Sequence, residues 1–120
     1  DAYLMYAEAV LRNGQGGDLG TAVGYINELR TRAYGNTDGN ISQGDLDLPF
    51  ILDERARELY FEGTRRIDLI RFGQYTGGSY LWPWKGNTLN GTSIPSTYNV
   101  FPIPSTALQA NPNLTQNLGY

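Results

Sequence analysis

The 120 residues contain no cysteine and no histidine. Without cysteine there is no disulfide, no thiolate metal ligand and no thiol nucleophile, and without histidine the commonest metal ligand and general base is missing. An excess of positive charge is missing too. Nine basic against twelve acidic side chains leave a net charge of −3, and the basic residues are mixed with acids rather than set apart in a block. That removes the electrostatic footprint of a nucleic-acid binder. No apolar run approaches the roughly 20 residues needed to cross a bilayer. No glycine-rich phosphate loop, zinc spacing or nucleophile elbow occurs, and the stretch Gly63 to Asp68 does not meet the phosphate-loop pattern. No cofactor, no metal site and no catalytic residue is therefore expected, and at this length a single core is the ceiling.

What is present is concentrated in Ile51 to Arg71. Leu48, Ile51, Leu52, Ala56 and Leu59 recur at the three-and-four spacing of one helix face, and the positions between them are mostly Arg or Glu. Glu54, Glu58 and Glu62 lie four apart, with Arg55, Arg57, Arg65, Arg66 and Arg71 within one or two turns. Gly63 interrupts the pattern, and Ile67, Leu69 and Ile70 begin a second apolar group. Residues 48–72 thus read as a central charged helix, a glycine break and a further turn or two. Arg55, Glu58, Glu62, Arg65 and Asp68 are expected to form a partly buried network tying the helix to the turn after Gly63, with Glu54 and Arg71 as further ion-pair members.

Residues 1–34 read as a helical hairpin. The first helix presents Leu4, Ala7, Val10 and Leu11 to a core and stops at Asn13-Gly14. Asp18 caps a second helix carrying Ala22, Val23, Ile26, Leu29 and Ala33. The length matches a tetratricopeptide unit of about 34 residues, although an ordinary hairpin has the same length. Glu8 sits among alanines, and its expected partner is Arg30 across the hairpin, since an unpaired charge in a core is costly. Residues 35–47 are a turn-rich loop in which Asp38 and Asn40 offer only part of a calcium-loop spacing, with no acid to close it. Asp45 or Asp47 then caps the central helix, with Pro49 in its first turn.

Residues 73–100 lose helical periodicity and gain glycines and aromatics. Long structureless loops are often binding elements. Tyr75, Tyr80, Trp82 and Trp84 are side chains on which the apolar face of a pyranose ring can stack, while the competing role for Trp82-Pro83-Trp84 is to pack the excursion onto the helices. In residues 101–120, Phe101-Pro102-Ile103-Pro104 must be extended. Ser105 is expected to cap a short helix over Thr106 to Gln109, and Tyr120 to close the tail as an apolar plug.

The run Glu54-Arg55, Glu58-Leu59, Glu62-Gly63, Arg65, Asp68-Leu69 and Arg71 resembles the signature near the C-terminal end of SusD/RagB-like proteins, surface glycan- and nutrient-binding lipoproteins of Bacteroidetes. Ala2 to Ala9, Ile26 to Ala33 and Phe101 to Tyr120 are similar to further segments of that family in the same order. The resemblance implies an all-α, tetratricopeptide-like fold with long irregular loops, and a chain that is the C-terminal part of a longer lipoprotein. It implies non-enzymatic capture of an oligosaccharide or other nutrient at the outer-membrane surface. The implied partner is a TonB-dependent transporter of the SusC type, with the membrane reached only through a lipid anchor upstream. Two other classes stand beside this reading. One is a tetratricopeptide-type protein-interaction scaffold. The other is a carboxylate hydrolase using Glu54 or Glu58 with Asp68, which the flanking arginines disfavour because they hold a carboxylate ionised where a general acid needs a raised pKa.

Overall fold

A computed structural model describes residues 1–120. Five α-helices and three short 3-10 turns account for the regular structure, and the only strand-like pairing is an isolated antiparallel bridge between Gly77 and Ile94. The class is all-α, as the sequence indicates. The chain divides into two compact units, Asp1–Arg65 and Arg66–Tyr120.

In the first unit, α1 (Ala2–Leu11) and α2 (Leu19–Tyr34) form the hairpin, and α1 also packs against α3 (Leu48–Glu58). The apolar spacing does the work. Leu4 and Ala7 from α1, Ala22 and Ile26 from α2, and Ile51 and Leu52 from α3 are buried together with Leu46. Around this core α1 and α2 are joined by aromatics: Tyr3 stacks on Tyr25 at 4.4 Å between ring centroids, and Tyr6 meets Tyr25 edge-on at 5.1 Å. The Glu28 carboxylate, through its charge and a hydrogen bond, raises the Tyr3 phenol pKa above its ordinary value.

Two aspartates start the helices. Asp18 accepts from the Thr21 amide at 2.8 Å, and Asp47 accepts from the Phe50 amide at 2.7 Å with Pro49 in the first turn. Asp45 belongs instead to a reciprocal capping box with Ser42 at the preceding 3-10 turn, which settles which of the two acids caps α3. At the far end of α2, Gly35 takes φ 74°.

Two expectations need correction in this unit. Ala33 is exposed, because α2 has passed the edge of the core by its last turn. The break in the central helix comes before Gly63: α3 ends at Glu58, and Phe61 adopts φ 66°, so the chain has already left helical geometry when it reaches the glycine. Phe61 itself is 91% exposed and meets Tyr60 edge-on at 4.6 Å.

The second unit contains most of α4 (Arg65–Arg71), 3-10 turns at Lys85–Asn87 and Ser96–Asn99, and α5 (Ser105–Ala110). The N-cap of α5 is Pro104 rather than Ser105, since the fixed proline dihedral sets the helix entry and no side-chain cap bond is made. The proline strut is held by amide side chains of the tail. Gln116 bonds both the amide and the carbonyl of Ile103, at 2.8 and 2.9 Å, and Asn117 donates to the Phe101 carbonyl at 2.7 Å. Tyr120 is about half exposed and is fixed by its hydroxyl, which donates to the Val100 carbonyl at 2.8 Å, so it is a polar tether rather than an apolar plug.

Candidate functional site

The candidate site lies in the excursion after α4. Between Gly73 and Val100 the sequence carries one charged residue, Lys85, and the structure buries it: its side chain lies in a residue only 1% exposed. Nζ donates to the Tyr80 carbonyl at 2.7 Å and sits 4.6 Å from the centroid of the Trp82 ring. A lysine stem can serve as apolar filling where its ammonium finds an acceptor and an aromatic face. Burial lowers the Lys85 pKa below the usual lysine value.

The backbone closes around this side chain. Lys85 N donates to the Trp82 carbonyl at 3.1 Å, Thr92 N donates to the Lys85 carbonyl at 3.0 Å, and Trp84 N donates to the Thr88 carbonyl at 2.9 Å. Gly91 completes the closure. Its φ is 75°, and a Cβ there would stand 2.5 Å from the Trp82 carbonyl oxygen, so only glycine lets the two sides of the loop approach.

The four predicted aromatics separate into two groups. Tyr75, Trp82 and Tyr80 form one cluster: Tyr75 stacks on Trp82 at 6.0 Å with rings 23° apart, and Tyr80 meets Trp82 at 6.1 Å, tilted by 45°. Trp84 is not part of that cluster and is 64% exposed, on a backbone at φ 71° and ψ 4°. A bulky residue in that left-handed region costs roughly 1–3 kcal/mol. Arg66 anchors the other end of the cluster. Its guanidinium lies 5.1 Å from the Tyr75 ring centroid and 4.0 Å from that of Phe101, and it donates to the Tyr98 carbonyl at 2.9 Å.

Sequence reasoning missed both cations. The one signal for Lys85 was its isolation as a charge directly after Trp82-Pro83-Trp84, which does not by itself distinguish a buried lysine from a solvated one. Arg66 was seen as a member of the charged helix, and nothing in its helical spacing pointed to Tyr75 and Phe101.

The predicted ion-pair residues are placed as follows. Glu8 accepts from Arg12 at 2.9 Å, one turn along its own helix. Arg30 does not reach it. The Arg30 guanidinium turns to α3, donating to Glu54 at 2.8 Å and to the Gly39 carbonyl, and it lies over the rings of Tyr34 and Phe50. The pairing across the hairpin is thus replaced by one from α2 to α3: both carboxylates are buried, and Glu8 is met by Arg12 on its own helix while Arg30 meets Glu54. Glu54 also accepts from Arg57 at 2.9 Å. Arg55 donates to Asp1 at 2.7 Å, and Glu58 accepts from the exposed Arg32 at 2.7 Å. Arg65 donates to the Leu52 carbonyl at 2.6 Å, and the buried Asp68 accepts from Arg71 at 3.0 Å. Glu62 is exposed. In the loop, Asn40 Oδ1 accepts from the Thr31 hydroxyl, and the Asp38 amide donates to Asn36.

The profile of the SusD family matches residues 1–120. The chain belongs to the SusD family. Among curated relatives of this SusD-family chain is the Starch-binding protein SusD of Bacteroides thetaiotaomicron, 49% identical over 121 residues. That alignment takes in all of this chain but 20% of the relative, so the chain spans about a fifth of the relative's length.

Proposed function

We propose that this SusD-family chain is part of a non-enzymatic protein that binds oligosaccharide at the bacterial cell surface, anchored in the outer membrane by a lipid outside these residues. It hands the ligand to a TonB-dependent transporter of the SusC type. The observation that carries the reading is the identity of 49% to a protein named for binding starch. The cluster of Tyr75, Tyr80 and Trp82 with the exposed Trp84 supports it, since aromatic faces bury the C–H face of pyranose rings. A hydrolase is disfavoured by the placement of the acids: Glu54 accepts from two arginines, Glu58 from Arg32 and Asp68 from Arg71, so none is offered to a substrate as a free acid.

Calorimetric titration of the full-length protein with maltoheptaose and a panel of other neutral oligosaccharides tests the reading. Binding with no release of shorter sugars is the expected result. Absence of heat and of any mobility shift on polysaccharide gels across the panel overturns it.

A further inference from the structure

Trp84 is the residue in the second unit that the fold does least to justify. It stands 64% exposed, outside the Tyr75–Trp82–Tyr80 cluster, on a left-handed backbone that glycine would occupy without strain. An indole at such a position, largely in water and against backbone preference, returns little packing to the folded chain. Strain of this kind is characteristic of side chains held for contact with a ligand.

The mounting is equally specific. Lys85 follows directly and is buried beneath Trp82, with its Nζ on the Tyr80 carbonyl, and the Trp84 amide is tied to Thr88 across the loop. The loop therefore turns its one charge inward, and from Gly73 to Val100 no other formal charge is available to meet a ligand. Within residues 73–100, uronate or sulfated sugars would meet no exposed cation. Asn87 and Asn90, both exposed, leave neutral amide groups on the same loop.

We propose that Trp84 is a glycan-contacting residue that stacks on an uncharged pyranose, and that Lys85 is its positioning residue, acting through Trp82 and the Tyr80 carbonyl without touching the sugar. Trp82, Tyr75 and Tyr80 are then the footing of the platform and not its face. The inference rests on the proposed glycan-binding function and adds to it which residue makes contact, which one positions it, and that the sugar at this position is neutral.

The test is titration of the full-length protein with maltoheptaose, paired with thermal melting, for wild type, Trp84→Gly, Trp84→Phe and Lys85→Met. Trp84→Gly removes the indole and relieves the backbone, so affinity should fall about fivefold to tenfold while the melting temperature holds or rises. Trp84→Phe keeps an aromatic face and should stay within about twofold of wild type. Lys85→Met keeps the stem and loses the cation, so it should weaken binding with the Trp84 side chain intact. An oligogalacturonide should bind no better to wild type than to Trp84→Gly. If wild type binds maltoheptaose and Trp84→Gly binds equally well, or if Trp84→Gly melts lower with affinity intact, Trp84 is a packing residue and the inference falls alone. Unchanged affinity in Lys85→Met removes its positioning role. If wild type binds no neutral sugar, the glycan-binding reading itself fails and takes this inference with it.

Discussion

The two units of this chain are stabilised by different chemistry. In Asp1–Arg65 the interior is aliphatic: Leu4, Ala7, Ala22, Ile26, Leu46, Ile51 and Leu52 are buried, and arginines close ion pairs around it. In Arg66–Tyr120 the buried aliphatic residue is Leu69, and order comes from cations laid on aromatic rings, Arg66 on Tyr75 and Phe101 and Lys85 on Trp82, together with the amide and hydroxyl bonds of Gln116, Asn117 and Tyr120. A helix face that must be covered dictates spacing, so the first unit follows a period. A cation on a ring dictates only that two side chains meet, so the second follows none.

The comparison is broken most sharply from the aliphatic side. Ile26→Ala removes a fully buried side chain at the contact of α2 with its neighbours, and a loss of about 2–5 kcal/mol in chemical denaturation is expected. A loss under about 1 kcal/mol would show that the first unit has no tightly packed centre. The corresponding change in the second unit is Arg66→Ala, which strips the ring contacts and the bonds to the Tyr98 and Asn99 carbonyls. About 2 kcal/mol is expected there, with Arg66→Lys recovering less than half, because the ammonium lacks the planar fork that spans two rings and two carbonyls. Full recovery by lysine would reduce Arg66 to a point charge.

Acid sharpens the contrast further. The pKa values of Asp18 and Asp45 are lowered by hydrogen bonds from the Thr21 and Ser42 side chains and amides. A carboxyl whose folded pKa lies below its unfolded value near 3.8 adds stability above that value and loses it as pH falls through the folded one. Both residues belong to the first unit. Protection of the Thr21 and Ser42 amides, measured relative to the intrinsic exchange rate at each pH, should therefore fall as pH drops below about 3.8, while the amides of Lys85 and Thr92 hold their protection. Equal loss of protection in both places would remove the cap-based account. Smallest of all is Glu62→Ala: the side chain is exposed, and a change within about 0.5 kcal/mol is expected in the same denaturation experiment.

Legibility followed the same division. The hairpin, the capping aspartates, Pro49 in the first turn of α3 and the buried positions Leu4, Ile26, Ile51 and Leu52 are visible in the sequence because each follows from a local rule of period or cap. Arg30 was placed correctly as a charge in need of a partner, yet its partner proved to be Glu54, since helix spacing says that a group faces inward and not which helix it meets there. Phe61 hid the end of α3, because a left-handed phenylalanine runs against the residue preferences that make Gly63 look like the break. In the excursion, composition singled out the aromatics but could not sort Trp82 from Trp84. That sorting depends on where Lys85 goes, and a lysine that folds inward contradicts the average behaviour of its kind.

Lys85 is also the one lysine among these 120 residues, the other eight basic side chains being arginines. An amine-directed reagent therefore finds no accessible ε-amino group while the loop is closed, and its slow acylation at Lys85 becomes a clock for loop opening. Peptide mass spectrometry after timed exposure to an acetylating agent would read that clock directly, in a segment where aromatic signals from Trp82 and Trp84 would otherwise overlap.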